Sequence, residues 1–445
     1  EALARNGMKF TQANACTVCT PSRVSLITGN SPARHHVTTW TDPRNAADTG
    51  EKESAHDLLP PADWSKGGVD AKDPTLLPKL FRDAGYRTIL VGKAHFGPLS
   101  EASGTPENIG FEVNIGGSGI GAPGSYRGED EFNGDRPDHQ VPGLESYHGK
   151  DIFLTEALTR EMKREIKRSM DEKKPFFAYM SHYAVHSPFK HADPKYAGNY
   201  PDLSPAERVF ATLVEGVDAS LRDLLAFLDQ SGVAENTLVV FVGDNGTDAP
   251  IALGKDGVGP TAPLRGKKGF PYEGGIRVPL IVSWAKPDAS NEVQRQLPIA
   301  AGSSESDLVT IWDLYPTLAG AAGLKIPDSI EGCDLRPYLK GDGAYHRPQE
   351  FFLNFPHSHQ YQDFYALLKT DGWKAIHRYA SGEYELYDLA SDPSEQINLA
   401  DKPEHRERLM KMAKVMKEKA GDSTASVPRD RLKPDRPPVP IRLPE

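Results

Sequence analysis

Long apolar runs are absent from this 445-residue chain: no stretch approaches the roughly 20 residues needed to cross a bilayer. The first residues, Glu1-Ala2-Leu3-Ala4-Arg5-Asn6-Gly7, lack both an initiator Met and the apolar segment of a signal peptide. Cysteine is scarce. Cys16, Cys19 and Cys333 are odd in number and do not make a disulfide framework. Basic residues, 52 against 62 acidic ones, leave a net charge of −10, which excludes a protein held to nucleic acid by a general positive field. Neither a nucleic-acid nor a membrane partner is expected, and no internal repeat is present. Gly (40) and Pro (37) are plentiful, as in a loop-rich globular fold rather than a disordered or collagenous one. Glu1 to Asn6 reads as the last turns of a helix that stops at Gly7 in a left-handed cap, so sequence upstream of residue 1 is expected.

Short apolar runs at Arg87 to Val91, Phe176 to Met180, Leu238 to Val242 and Val278 to Val282 read as buried parallel strands. Helical patterns lie between them. The clearest, Phe210, Leu213, Val214, Val217, Leu221, Leu224, Leu225 and Leu228, follows Pro205 and stops before Gly232. Such alternation predicts an α/β fold with a central, mostly parallel sheet between helices. Residues 97–138 form a long Gly-, Ser- and Pro-rich excursion. Within it, Gly119-Ile-Gly-Ala-Pro-Gly124 has the form GxGxxG, but no clear strand leads in and Pro123-Gly124 opens no helix, so it is read as a loop. The composition shifts near Gly341 to Gln349. Domains are placed at 1–343 and 344–445, the second an antiparallel sheet from Tyr365 to Leu368, Trp373 to Ile376 and Tyr384 to Tyr387, with a helix from Pro403 to Ala420 and a Pro-rich tail.

The densest chemical signal is Cys19-Thr-Pro-Ser-Arg-Val-Ser-Leu-Ile-Thr-Gly29. Pro21 suits a first helical turn and Gly29 an end, so Cys19 belongs at a helix N-terminus, where exposed N–H groups favour anions and lower a thiol pKa. Arg23 lies one turn on. Cys16 and Cys19 form a C-x-x-C pair, but no matching pair follows, which disfavours zinc, and Cys16 is read as a small buried residue.

Cys19-x-Pro21-Ser22-Arg23 followed by Leu26-Ile27-Thr28-Gly29 resembles the signature of the type I, formylglycine-dependent sulfatases of the alkaline phosphatase superfamily, and the likeness runs over nearly the whole chain. It implies that Cys19 is oxidised to formylglycine by a separate maturation enzyme and that the aldehyde hydrate supplies the nucleophile. Arg23 would hold the hydrate. Gly92-Lys93-Ala94-His95-Phe96-Gly97 resembles the family's GKxHxG element, with Lys93 on sulfate oxygens and His95 against the formylglycine hydroxyl. His186-Ser187-Pro188 resembles its HxP element, which makes His186 a candidate acid for the leaving group. Asp244-Asn245-Gly246, after an apolar strand, reads as a turn or as oxygen ligands for a hard cation, and the resemblance makes it the Ca²⁺ site, in preference to Mg²⁺. In Leu264-Arg265-Gly266-Lys267-Lys268-Gly269, Lys268 aligns with a sulfate-binding lysine, and Lys267 is read as solvated.

The family also places two adjacent Asp metal ligands at the end of a first strand, a segment not found in these residues. The expectation is therefore a catalytic domain lacking that strand, with weak metal binding through Asp244 and Asn245 alone. The implied substrate is a sulfate monoester, with a sulfated carbohydrate the reading for its organic part. A periplasmic, secreted or lysosomal location follows from the same likeness. Two readings compete: a phosphomonoester or phosphonate hydrolase of the same superfamily, and a catalytically inactive carbohydrate-binding relative.

Overall fold

The apolar runs form strands where the sequence places them, in a computed structural model that describes residues 1–41, 57–61, 64–359, 362–421 and 427–444. In chain order the strands are β1 (Met8–Asn14), β2 (Leu58–Leu59), β3 (Arg87–Gly92), β4 (Val113–Ile115), β5 (Phe176–Ser181), β6 (Leu238–Val242), β7 (Leu280–Trp284), β8 (Ser303–Thr310), β9 (Glu350–His359), β10 (Gln362–Thr370), β11 (Trp373–Arg378), β12 (Tyr384–Asp388) and β13 (Arg429–Asp430).

The first half of the fold holds two strand groups. One has the order β4-β3-β5, all parallel, and the other β6-β7-β1-β8, in which β1 and β8 are parallel and β7 runs against both neighbours. Parallel pairings outnumber antiparallel ones, as expected, and β7 is the exception. The Leu154–Asp171 and Pro205–Gln230 helices cover one side of these strands, and the Leu314–Ala321 helix and α2 (Cys19–Thr28) pack among the residues on the other. The long helix begins with a capping box, Ser204 accepting from the Glu207 amide while the Glu207 carboxylate accepts from the Ser204 amide. No helix among the described residues is long and apolar enough to cross a membrane.

Other features differ from the sequence reading. A helix, α1 (Ala2–Asn6), does precede Gly7, but Gly7 is extended (φ −136°, ψ −160°), and glycine is required there because a Cβ would lie 2.3 Å from the Val282 carbonyl oxygen. The sequence also showed no strand at β1 or β4. Strand β1 carries Lys9 and Gln12 among its apolar residues, which hides a strand paired on both edges.

The last third folds as the antiparallel sheet β12-β11-β10-β9 with the Arg406–Ala420 helix. Alternation along β9 divides two cores. Phe351, Leu353 and Phe355 join the main core, whereas Phe352 packs with Phe364, Leu368, Leu409, Met412 and Met416. Buried Lys369 and Lys374 pair with buried Glu273, and Lys374 also with Glu395, so ion pairs tie this sheet to the loop after Lys268.

Among the described residues, β5 and β6 are each paired on one edge only, to β3 and β7. β3 is buried throughout, while residues 176–180 and 238–242 are all half-buried. Both strands line one groove of about 1490 Å³, together with Glu1, Leu3, Met162, Ile166, Leu221, Leu224 and Leu314. At the carboxyl ends of the strands the groove reaches Arg23, Lys93, His186, Asp244 and Lys268.

Candidate active site

Cys19 opens α2. Val18 precedes it in extended conformation, and Gly29 ends the helix at φ 66°, its amide donating to the Ser25 carbonyl. The Ser22 hydroxyl accepts from the Cys16 amide at 3.0 Å and donates to the Val18 carbonyl at 3.2 Å, which fixes the turn that presents residue 19. Burial pushes the Cys16 thiol up to about 12, the inert residue anticipated, and all three cysteines are free.

Side chains far apart in sequence converge on this point. Arg23, only 7% exposed, points its guanidinium across the strand ends: Nε donates to Asp244 Oδ2 at 2.8 Å, Nη2 pairs with the same oxygen at 2.8 Å, and Nη1 donates to the Lys93 carbonyl at 2.9 Å and Ser181 Oγ at 2.6 Å. Lys93, 3% exposed, leaves the end of β3 and is held down to about 8 by burial, against the Cys19 and Asp244 charges that favour its ammonium form. His95 brings Nδ1 to 3.3 Å from Cys19 Sγ. Burial alone would push the Cys19 thiol up, but Lys93, His95 and Lys268 outweigh it and hold it well below its ordinary value. Burial likewise opposes ionisation of Asp244, and Arg23, Lys93 and Lys268 reverse the sign, keeping its carboxylate charged far below the usual range.

Lys268 Nζ lies 2.9 Å from His186 Nε2, and His186 Nδ1 lies 3.0 Å from the Ser187 carbonyl. Nδ1 therefore carries the hydrogen and Nε2 accepts from the ammonium. Burial, then Lys268 and Lys93, push His186 well below the usual imidazole range. Before substrate enters, His186 is thus a neutral ring and Lys268 bears the proton. Lys267, expected in solvent, is instead largely enclosed and lies 3.5 Å from Asp248. His182 is half-buried, with Nε2 against Ser220 Oγ at 2.9 Å and its pKa lowered to about 4 by desolvation.

Asp244 and Asn245 offer oxygen of the right kind for a hard cation. Asn245 Oδ1 is buried without a hydrogen-bond partner among the described residues, whereas Asp244 Oδ2 is taken by Arg23. Six or more oxygens are needed for Ca²⁺, and no group of three His, Cys, Asp or Glu side chains among the described residues is arranged for a metal. These two residues alone do not complete a shell.

Sequence reasoning brought Cys19, Arg23, Lys93, His95, His186, Asp244, Asn245 and Lys268 to one region. It missed Ser181, Thr20 and Thr41. Thr20 Oγ1 lies 3.3 Å from His95 Nε2, and the Thr41 carbonyl accepts from that nitrogen at 3.0 Å. Thr20 stood inside the motif, whereas a backbone carbonyl has no signature.

Fold and site together define an α/β protein that surrounds a side chain at a helix N-terminus with three fixed cations and two imidazoles, the arrangement of an anion-handling centre. A sulfatase family model matches residues 1–324, and one described as N-sulphoglucosamine sulphohydrolase, C-terminal, matches residues 266–422. The chain belongs to the sulfatase family. It is 30% identical over 363 residues to N-acetylgalactosamine-6-sulfatase of Canis lupus familiaris, an alignment that spans 78% of this chain and 62% of that protein. The crystal structure of Ps i-CgsB in complex with k-i-k-neocarrahexaose superposes with a TM-score of 0.71 at 22% identity, covering 96% of this chain and 88% of that one. A phosphonate monoester hydrolase from Silicibacter pomeroyi superposes at 0.61 with 17% identity, over 93% and 88%. These two likenesses establish the fold alone.

Proposed function

We propose that the protein is a sulfuric ester hydrolase acting on sulfate monoesters of a carbohydrate, after conversion of Cys19 to formylglycine by a maturation enzyme. The observation that carries the reading is the gathering of Arg23, Lys93 and Lys268 about residue 19, with His95 in contact with it and His186 in contact with Lys268. Formylglycine would supply a hydrated aldehyde whose hydroxyl is the nucleophile. The chain's own groups do the rest. A sulfate ester places negative charge on three non-bridging oxygens and, as the S–O bond breaks, on the departing oxygen, so fixed cations in a dry pocket lower the barrier most. Lys93 and Lys268 lie where those oxygens would bind, and Arg23 keeps Asp244 ionised beside them. The proton for the departing alcohol comes from the Lys268–His186 pair, its ammonium being the proton-bearing member in the substrate-free state. His95 Nδ1 faces residue 19 and can take a proton from it.

Ca²⁺, rather than Mg²⁺, is the cation that Asp244 and Asn245 would help to hold, with further oxygens from a strand seated between β5 and β6 as part of a catalytic domain ending near residue 343. The dog sulfatase is named for a sulfated amino sugar, and one structural neighbour was solved with a neocarrahexaose, which favours a sulfated glycan over a small aryl sulfate. The expected location is periplasmic, secreted or lysosomal.

Mass spectrometry of the Cys19 peptide after co-expression with a formylglycine-generating enzyme tests the modification, an oxidation that replaces the thiol sulfur by a carbonyl oxygen with loss of two hydrogens. Turnover of aryl sulfate, phosphate and phosphonate esters by the matured protein tests the class. Fast hydrolysis of the sulfate alone is expected. Preference for phosphate or phosphonate, or activity with an intact thiol, refutes the proposal.

A further inference from the structure

We propose that Thr20, the Thr41 carbonyl and the Gly119–Gly124 loop are positioning elements that fix the proton of His95 on Nε2 and leave Nδ1 as the ring's sole proton-exchanging atom toward residue 19. The catalytic use of that proton rests on the sulfatase reading, whereas the arrangement stands on geometry. A carbonyl oxygen only accepts, so the 3.0 Å contact of His95 Nε2 with the Thr41 carbonyl requires a hydrogen on Nε2 in both the neutral and the charged ring. A proton that leaves residue 19 then goes to Nδ1, 3.3 Å from the side-chain atom, and yields an imidazolium with both N–H groups engaged.

Thr20 holds the carbonyl in place. Its Oγ1 accepts from the Thr41 amide at 3.2 Å and lies against the imidazole edge, 3.3 Å from Nε2 and 3.4 Å from Nδ1. The glycine loop supplies the other wall. A Cβ on Gly121 would lie 2.7 Å from His95 Cε1 and 3.1 Å from Nδ1, so the loop backbone lies directly against the imidazole. A Cβ on Gly119 would lie 2.6 Å from the Leu99 amide nitrogen, which leaves the loop no room to retreat. His95 itself is held at φ 53°, a left-handed conformation that a non-glycine residue adopts only under constraint, with its amide donating to the Ser118 carbonyl at 2.9 Å. The GxGxxG run, set aside as a nucleotide motif, thus serves the active site as close-packed backbone.

The test uses the full chain labelled with ¹⁵N-histidine and long-range ¹H–¹⁵N correlation, with His95 assigned by its loss in His95→Asn. In Cys19→Ala the neutral His95 ring should be the Nε2–H tautomer. Thr20→Val should mix the tautomers, and Thr20→Ser should restore the single form. In matured protein, with turnover normalised to the formylglycine content found by mass spectrometry, Thr20→Val should lose about tenfold in kcat at unchanged KM. Thr20→Ser should stay within about twofold, and Gly121→Ala should lose about a hundredfold. A predominantly Nδ1–H ring in Cys19→Ala overturns the proposal, as does loss of kcat in Thr20→Val with the tautomer unchanged. The expected tautomers in a protein that hydrolyses no sulfate ester would overturn the sulfatase reading and leave this one intact.

Discussion

Replacing Arg23 by lysine keeps the charge and removes the fork. Three hydrogen bonds and an ion-pair contact run from this guanidinium to three partners, Asp244, the Lys93 carbonyl and Ser181, at 2.6–2.9 Å. An ammonium has one nitrogen and a shorter reach, so it can serve Asp244 but not the other two partners as well. At least two charge-assisted bonds are lost at about 1.5–3 kcal/mol each. Relaxation recovers a part, and the expected destabilisation is about 3 kcal/mol, or roughly 1 M in the urea midpoint at an m of about 3 kcal/mol/M. Because Arg23 and Asp244 share the bond, Asp244→Asn and the double variant complete a cycle with an expected coupling of at least about 1.5 kcal/mol. Equilibrium urea unfolding at pH 7 measures all four proteins. An Arg23→Lys protein within about 0.5 kcal/mol of the parent, with no coupling to Asp244, would refute the view that this network holds the site together.

Two further outcomes concern charge. Inorganic sulfate should protect the unmodified chain against urea by about 2.7 kcal/mol at a hundredfold excess over its Kd. That protection should fall as pH rises through about 8, where Lys93, its pKa lowered chiefly by burial, loses its proton, and Lys93→Arg should abolish the fall. His377 is fully buried between the Tyr379 and Tyr384 rings with no hydrogen-bond partner for either nitrogen among the described residues, and burial lowers its pKa to about 4. The unfolded chain binds that proton near pH 6.5, so this contribution to stability is complete above 6.5 and lost as pH falls toward 4, amounting to about 2 kcal/mol at pH 5. His377→Phe should flatten the stability–pH curve over that window, which unfolding curves at pH 5 and 7 would reveal.

How much of this was readable in the sequence follows from where the information lies. Strands β3, β5 and β6 were legible because each is an unbroken apolar run, and α2 because Pro21 and Gly29 bracket it. Residues 19, 93, 95, 186, 244 and 268 share no periodicity, and only the family motifs placed them together. Lys369 and Lys374 illustrate the opposite failure. A charged residue in a strand reads as solvent-facing, yet both are buried, because Glu273 and Glu395 from distant segments neutralise them. The grip of the Thr41 carbonyl and Gly121 on His95 was invisible for a third reason: neither contact depends on a functional side chain of the residue that makes it.

The groove between β5 and β6 supplies the last test. Apolar strands of an α/β sheet are ordinarily covered on both faces and paired on both edges, as β3 is. Here two strands of five and six residues, Leu238–Val242 and Phe176–Ser181, each pair on one edge only among the described residues and line the same groove. A further parallel or antiparallel strand of about six residues would satisfy both edges at the ordinary spacing of about 4.8 Å and join the two groups into one sheet. Its end would come to Arg23, Lys93 and Lys268, a region with three cations against Asp244, where added carboxylates would be stabilised and would supply oxygens that Asp244 and Asn245 lack. Glu1 and Leu3 also line the groove, and a protein extended upstream of residue 1 tests the sequence expectation of a further strand. The extended protein should therefore bind Ca²⁺ at least about a hundredfold more tightly than residues 1–445 by calorimetry, and should gain protection of the β5 and β6 amides in hydrogen exchange. Equal, tight Ca²⁺ binding by both proteins, with unchanged exchange in those strands, would refute the seating of a strand there and with it the proposed cation shell.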